Sequence, residues 1–239
     1  MSDLRVLAAA IAFNEDKKIG SVISRFNHGD VTEILVVDDA STDATAEVAR
    51  SKGATVVTRE RRGGAGAAIR TAIDYARQHK FDVLVILAGN DKDRPDEIPR
   101  LLNPIREDGY DFVQGSRYLP GGEYGKMPVY RVFASRFMHP WLFSLATGRR
   151  ITDSTNGLRA FRLTLLDDAR IDLNQSWLDQ YELEPYLFFK AITLGYKVKE
   201  VPVTKIYPPK QLGYTKMKPI TGWWSILRPI FLLGLRIKK

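Results

Sequence analysis

The residues able to do chemistry cluster where apolar runs end. Val36-Val37-Asp38-Asp39-Ala40-Ser41-Thr42-Asp43 passes from an apolar run straight into acids and hydroxyls. Upstream, 6–12 leads into Phe13-Asn14-Glu15, and downstream 83–88 leads into Gly89-Asn90-Asp91-Lys92-Asp93. Asp91 and Asp93 offer two carboxylates on one loop, the donors a hard divalent cation takes when it also binds a diphosphate; the alternative for them is a helix cap before Pro95. Asp38 and Asp39 lie on opposite faces of an extended segment, so at most one of them shares a pocket with Asp91. Ser41, Thr42 and Asp43 beside them can bond a ribose or base. Arg59-Glu60-Arg61-Arg62-Gly63-Gly64-Ala65-Gly66 sets basic residues and glycines before a helix, where the backbone can approach a ligand and free N–H groups attract phosphate. It is neither a P-loop nor a dinucleotide fingerprint. A last cluster at 153–162 gathers Asp153, Asn156, Arg159 and Arg162 around Gly157, a loop able to hold a hydroxylated ligand on one side and a phosphate on the other.

Three successive strands delivering polar groups to one rim is how open α/β sheets build ligand sites, at the carboxyl ends of their strands. Apolar strands at 5–12, 33–38, 54–58, 83–88 and 111–115 alternate with helical stretches at 17–26, 43–52, 66–79 and 95–108. The alternation predicts an α/β fold with a mostly parallel sheet flanked by helices. Thr42-Asp43 and Asp93 can cap the second and fourth helices. The second half is less regular: a turn at Pro120-Gly121-Gly122, an apolar segment at 129–145 that contains Arg131 and Arg136, a helix at 179–194 and a strand at 197–203. Arginines inside an apolar helix either bind phosphate or snorkel to the surface.

With 239 residues, 44% of them hydrophobic, the chain can build one α/β domain with a smaller appendage; we divide it at 1–205 and 206–239. The absence of cysteine excludes disulfides and thiolate sites, and the scattered His28, His79 and His139 argue against a histidine-rich metal site. No acidic residue follows Glu200, and the eight basic residues of that tail account for the whole net charge of +8. Such a tail suits an anionic surface. Trp223-Trp224 and the aliphatics after them, flanked by Arg228 and Arg236, form no uncharged run approaching the roughly 20 residues of a spanning helix. They predict a basic amphipathic segment in the head-group layer; the alternative is a helix that caps the core. The start of the chain shows no signal-peptide pattern, so the expected location is cytoplasmic, peripheral on the inner face of the membrane. Nucleic-acid binding is not expected, since basic and aromatic residues are not interleaved as in such domains.

In this order the segments resemble the inverting nucleotide-sugar glycosyltransferases of the GT-A fold, most closely the polyprenyl-phosphate glycosyltransferases typified by dolichol-phosphate mannose synthase. The likeness covers about 5–205. It implies a nucleotide-sugar donor, UDP- or GDP-linked, held by Phe13, Asn14, Glu15, Asp38, Asp39, Arg62, Gly63 and Asn90. It implies Mg2+ or Mn2+ on Asp91 and Asp93, which with Arg117 would act on the diphosphate. The polyprenyl phosphate acceptor would meet Arg117, Arg131 and Ser135, and Asp153, Asn156 and Arg159 would shape the sugar pocket. One departure stands out: the family usually carries Asp-x-Asp followed by Gln, and anchored on Pro95 these fall on Gly89, Asp91 and Asp93. Two other readings are a glycosyltransferase of this fold with a soluble or glycan acceptor, and a non-catalytic nucleotide-sugar binding protein. A membrane-anchoring partner protein or a homo-oligomer is compatible with the sequence.

Overall fold

The computed structural model describes residues 4–209, 211 and 221–238. Its first half alternates β1 (Val6–Ala12), α1 (Asp16–Ser24), β2 (Glu33–Asp38), α2 (Thr45–Ser51), β3 (Thr55–Thr58), α3 (Ala65–Gln78), β4 (Val83–Ala88) and α4 (Ile98–Glu107). Then follow β5 (Phe112–Ser116), β6 (Glu123–Gly125), α5 (Val129–Phe133), a π-helical segment (Ala134–Met138), α6 (His139–Thr147), β7 (Arg159–Arg162), α7 (Leu183–Thr193), β8 (Val198–Pro202), β9 (Thr204–Ile206) and α8 (Thr221–Gly234). A seven-stranded sheet in the order β3-β2-β1-β4-β7-β5-β8 forms the centre, and β6 pairs with β9 beside it. The sheet is parallel except for β7, which runs antiparallel to both β4 and β5. The β7 segment reads from sequence as part of a loop; its four residues become a strand because β4 and β5 offer open edges on either side.

Alternate residues of the central strands enter different cores, because side chains alternate across a pleated strand. Leu7, Ala9, Leu35, Val37, Leu84 and Ile86 face α3 and α7, while Ala8, Ala10, Val36, Val85 and Leu87 face α1 and α4. The alanines Ala68, Ala72 and Ala76 repeat every four residues along α3 and are buried, a stripe that lets the helix lie close on the sheet. Stacked rings of Phe112, Phe161, Phe188 and Phe143 join the right half of the sheet to α7 and α6.

The strand ends that matter are level. Ala12 stands opposite Asp38 and Ile11 opposite Ala88; Asp39 N donates to Ala12 O at 2.9 Å and Gly89 N to Ile11 O at 2.8 Å. Parallel register thus brings three loops from distant parts of the sequence to one rim. The expected caps differ in detail: Asp43 Oδ1 accepts from Thr45 N at 3.0 Å at the start of α2, whereas the Asp93 carboxylate turns to Ala88 N and Lys205 instead of capping a helix.

The glycine-rich loop before α3 is a packing device. Gly66 N donates to Gln180 O at 2.6 Å and Ala67 N to Asp179 O at 3.1 Å, so these helix-start donors face protein carbonyls and not a phosphate. A Cβ on Gly66 would lie 1.9 Å from Leu178 O, and Gly64 adopts φ +97° with Asp179 O 2.7 Å from where a Cβ would stand.

The tail helix packs on the core and also keeps an apolar outer face. Ile230 and Leu233 of α8 are buried in the core that α3 and α7 share, while Trp224, Phe231, Leu235 and Ile237 are exposed. Arg228 ties the helix to Trp177 O and Glu182, each at 2.7 Å. His139 forms the seam with α6: Nε2 lies 3.1 Å from Ile226 O and Nδ1 2.6 Å from Ser154 Oγ. A carbonyl can only accept, so Nε2 carries the proton and Nδ1 accepts from Ser154. Among the described residues no helix is long and apolar enough to cross a membrane. Lys210, Lys216, Lys218 and Lys239 of the basic tail lie outside the described residues.

Burial pushes His139 down to about 4 from its ordinary value. The unfolded chain therefore takes a proton near pH 6.5 that the folded chain refuses, and stability present above that pH declines as pH falls toward 4, by up to about 1.4 kcal/mol per unit. Urea unfolding at pH 7, 6 and 5 is expected to show this decline, and His139→Gln to flatten it; an equal slope in both proteins would assign the effect elsewhere. Gly66→Ala is expected to cost about 3 kcal/mol in the same unfolding experiment, whereas Gly109→Ala, at φ +67° in open space, costs about 1–2 kcal/mol from backbone strain alone.

Candidate active site

A cavity of about 310 Å³ lies over the rim formed by β1, β2 and β4. Phe13, Glu15, Asp39, Arg62, Asn90, Arg117, Arg131, Ser135 and Arg159 of the sequence-predicted residues line it. Asn14, Asp38, Gly63, Asp91, Asp93, Asp153 and Asn156 do not; each holds a neighbour in place.

At one end Asp39 organises the wall. Its carboxylate accepts from Arg59 Nη1 at 2.5 Å, Gly63 N at 2.9 Å and Gly64 N at 2.8 Å, binding the glycine-rich loop to the end of β2. The Arg62 guanidinium lies 4.0 Å over the Phe13 ring, two flat surfaces suited to a base. Asp38 turns the other way, as alternation requires, and accepts from Ser41 N at 3.1 Å and from the Ser41 hydroxyl. Asn14 joins the first two loops: its Oδ1 accepts from Thr42 N at 2.8 Å, and its own N–H donates to Ser41 Oγ at 2.8 Å. Glu15 pairs with Lys18 one turn along α1.

The loop after β4 presents alternate residues. Ala88, Asn90 and Lys92 line the cavity, whereas Asp91, at φ +58°, pairs with Arg25 at 2.7 Å and Asp93 with Lys205 at 2.5 Å. The two carboxylates expected to hold a cation therefore face away, each already neutralised. Asn90 Oδ1 is buried with no hydrogen-bond partner among the described residues. Lys92 is not among the sequence-predicted residues, although two-residue alternation from Asn90 could have found it. Its ammonium lies 4.2 Å over the Tyr207 ring, and burial, with Lys205 and Arg131 nearby, pushes it down to about 7. Lys18 and Lys205 are also missed, and nothing local in the sequence marks them.

The opposite wall rests on a buried ion pair. Arg117 Nε and Nη2 donate to the Asp153 oxygens at 2.6 and 2.8 Å, and Arg117 N donates to Oδ2 at 3.1 Å. Burial alone would raise the Asp153 carboxyl, but the Arg117 guanidinium and its hydrogen bonds hold it below the usual carboxylate range. Arg117 Nη1 is left beside Met127 Sδ at 3.7 Å. Arg131, buried on α5, reaches Tyr207 Oη at 3.3 Å. The Ser135 hydroxyl donates to Arg131 O at 2.6 Å, so at 2.5 Å from Tyr118 Oη it accepts. The remaining members of the expected sugar pocket are held rigidly: Arg159 donates to Glu184 O at 2.7 Å, and Asn156 donates to Gly115 O at 3.1 Å and accepts from Lys205 at 3.2 Å.

Lys18, Arg62, Lys92, Arg117, Arg131, Arg159 and Lys205 line the cavity against Glu15, Asp39 and Glu184. This surplus of positive charge, with flat and polar groups at one end, suits a nucleotide carrying phosphates. A divalent cation is fitted less well: the nearby carboxylates are ion-paired, and among the described residues no three metal-binding side chains converge.

The sequence pattern of glycosyl transferase family 2 matches residues 9–169. An undecaprenyl-phosphate mannosyltransferase of Micrococcus luteus is 32% identical over 90% of this chain and 88% of its own. A dolichyl-phosphate hexose transferase of Haloferax volcanii is 32% identical over 91% and 89%. Glucosyl-3-phosphoglycerate synthase from Mycobacterium tuberculosis, solved with Mn2+, UDP and glucosyl-3-phosphoglycerate, superposes with a TM-score of 0.70 over 98% of this chain and 80% of that one, at 21% identity. Level strand ends, a wall of Arg62 stacked on Phe13 and a cationic cavity thus sit on the expected GT-A fold, and the chain belongs to glycosyl transferase family 2, a glycosyltransferase.

Proposed function

We propose that the protein is an inverting transferase that moves a hexose from a UDP- or GDP-linked donor to a polyprenyl phosphate, working as a peripheral protein on the cytoplasmic face of a membrane. The observation that carries this reading is the two-sided segment from α5 to α6. Arg131 and Ser135 point into the cavity, while Val129, Tyr130, Phe133, Phe137, Trp141 and Leu145 are exposed, Val129 at 84% and Leu145 at 72%. One helical stretch thus offers phosphate binders inward and a lipid-facing row outward, with Arg136, Arg149 and Arg150 beside it along a shallow groove. Exposed aromatic and aliphatic groups edged by arginines suit the head-group layer. Relatives named for undecaprenyl and dolichyl phosphate support the acceptor.

In this reading Phe13, Arg62 and Asp39 frame the nucleoside, Asn90 offers it an acceptor, and Arg159 and Glu184 bound the sugar. An acceptor phosphate oxygen, already anionic, attacks the anomeric carbon without a strong base; the bond from that carbon to the diphosphate breaks on the opposite face, and its electron pair leaves with the nucleoside diphosphate. Basic groups fixed in a partly enclosed cavity stabilise the departing charge more than they would in water. A divalent cation, such as the Mn2+ in the solved synthase, would supply the same neutralisation when bound. Helix α8 acts here as part of the membrane face as well as a core element.

The test is transfer from labelled UDP- and GDP-sugars into organic-extractable product in vesicles holding polyprenyl phosphate. Product from one donor is expected; donor hydrolysis or transfer to a water-soluble acceptor without lipid product would overturn the lipid assignment. Arg131→Met is expected to lower transfer about a hundredfold with donor binding retained. The pair Phe133→Ser and Trp141→Ser should lower transfer in vesicles about tenfold through weaker membrane binding, and equal vesicle co-sedimentation of wild type and variant would sink that role.

A further inference from the structure

We propose that Lys92, flanked by Lys18 and Lys205, binds the donor's diphosphate directly where a divalent cation would otherwise sit, so that this chain transfers sugar without metal. The inference rests on the nucleotide-sugar reading and deepens it.

The position cannot hold a cation as the expected motif would. Gly89 brings no carboxylate to the position of the first acid, and a side chain there would press on Ile19 Cδ1 at 3.0 Å and Ala12 Cβ at 3.1 Å. Asp91 is paired with Arg25 and Asp93 with Lys205, so both carboxylates are already engaged. Beside Asn90 the loop presents Lys92 to the cavity, only 7% exposed, whose ammonium donates no hydrogen bond to any described residue and lies 4.2 Å over the Tyr207 ring.

A buried ammonium with no anion is costly, and the cost is met when an anion arrives. Lys18 enters from α1 and Lys205 from β9, each held by one carboxylate, Glu15 and Asp93. Asp93 also acts on Lys92 but is ion-paired to Lys205, which leaves Lys92, two residues beyond Asn90, with repulsive neighbours and no ion-pair partner of its own among the described residues. As the bond to the anomeric carbon breaks, the diphosphate gains one negative charge; Lys92 can meet it with up to three charge-assisted hydrogen bonds. A monovalent cation fixed by the fold then does what a hydrated metal does elsewhere, without the carboxylates that a metal requires. A phosphate from the acceptor could exploit the same ammonium, but the loop's place beside Phe13 and Asp39 favours the donor.

Titration calorimetry of the full chain with UDP and GDP, in EDTA and in Mn2+ or Mg2+, tests this. Affinity for one of them is expected to agree within about twofold between the buffers, with transfer likewise insensitive to EDTA. Lys92→Met, which suits a buried site, should weaken nucleoside diphosphate binding about a hundredfold while the free nucleoside binds as before and thermal stability is kept. Binding lost in EDTA and restored by Mn2+ would overturn the proposal, as would an unchanged Lys92→Met affinity. A Lys92→Met defect confined to inorganic phosphate or polyprenyl phosphate would also overturn it, by giving Lys92 to the acceptor. If neither nucleotide binds in any buffer, the donor reading itself fails.

Discussion

The structure of the site turns on the buried pair of Arg117 and Asp153. Arg117 directly follows strand β5, and Asp153 belongs to the segment that returns from α6 toward β7, so their fork joins two stretches 36 residues apart. The segment around Asp153 is itself a hub. Glu200 on β8 accepts from Thr152 N at 2.8 Å and from Asp153 N at 2.9 Å, Ser154 meets His139 on α6, and Asn156 reaches Gly115 and Lys205. Breaking one member of a buried pair leaves an uncompensated charge and typically costs about 3–5 kcal/mol. That penalty would fall on the sheet, on α6 and on the docking of α8 together, because all three lean on the same few residues.

Charge is arranged in layers around the cavity. Carboxylates stand behind and cations in front: Asp153 behind Arg117, Asp93 behind Lys205, and Glu15 beside Lys18. Each acid orients a basic group and offsets its desolvation, so the cavity keeps a net positive face without a row of isolated buried charges. Preorganised charge of this kind stabilises an anion that develops during reaction, since no solvent has to reorganise when it appears. Asp39 follows the same logic with backbone donors, using its carboxylate to shape a loop.

The segment from α5 to α6 solves a different problem, that of joining a polar cavity to an apolar surface. A π-helical stretch in its middle keeps Ser135 buried beside Arg131 while Phe133, Phe137 and Trp141 remain outside. The segment is supported by α8, whose inner residues Ile230 and Leu233 belong to the main core. The same helix thus caps the core with one face and keeps an exposed apolar face with Trp224 and Phe231 on the other.

Much of this was legible in the residue pattern. Alternating apolar strands and helices determined the parallel sheet, because burial on both faces demands continuous apolar strands, and the level ends of those strands located the site before any side chain was placed. The rest was decided by contacts between distant segments. Alternation says that Asp38 and Asp39 diverge, but only the packed sheet selects Asp39. At the end of β4, Asp91 and Asp93 carry the residue types of a cation site, yet partners 66 and 112 residues away, Arg25 and Lys205, draw them aside and leave Asn90 and Lys92 lining the cavity. The glycine-rich loop reads locally as a phosphate cradle and is taken instead by the carbonyls of Asp179 and Gln180. Local sequence sets what a strand end offers; which offered group reaches the cavity depends on charges and carbonyls that only folding brings beside it.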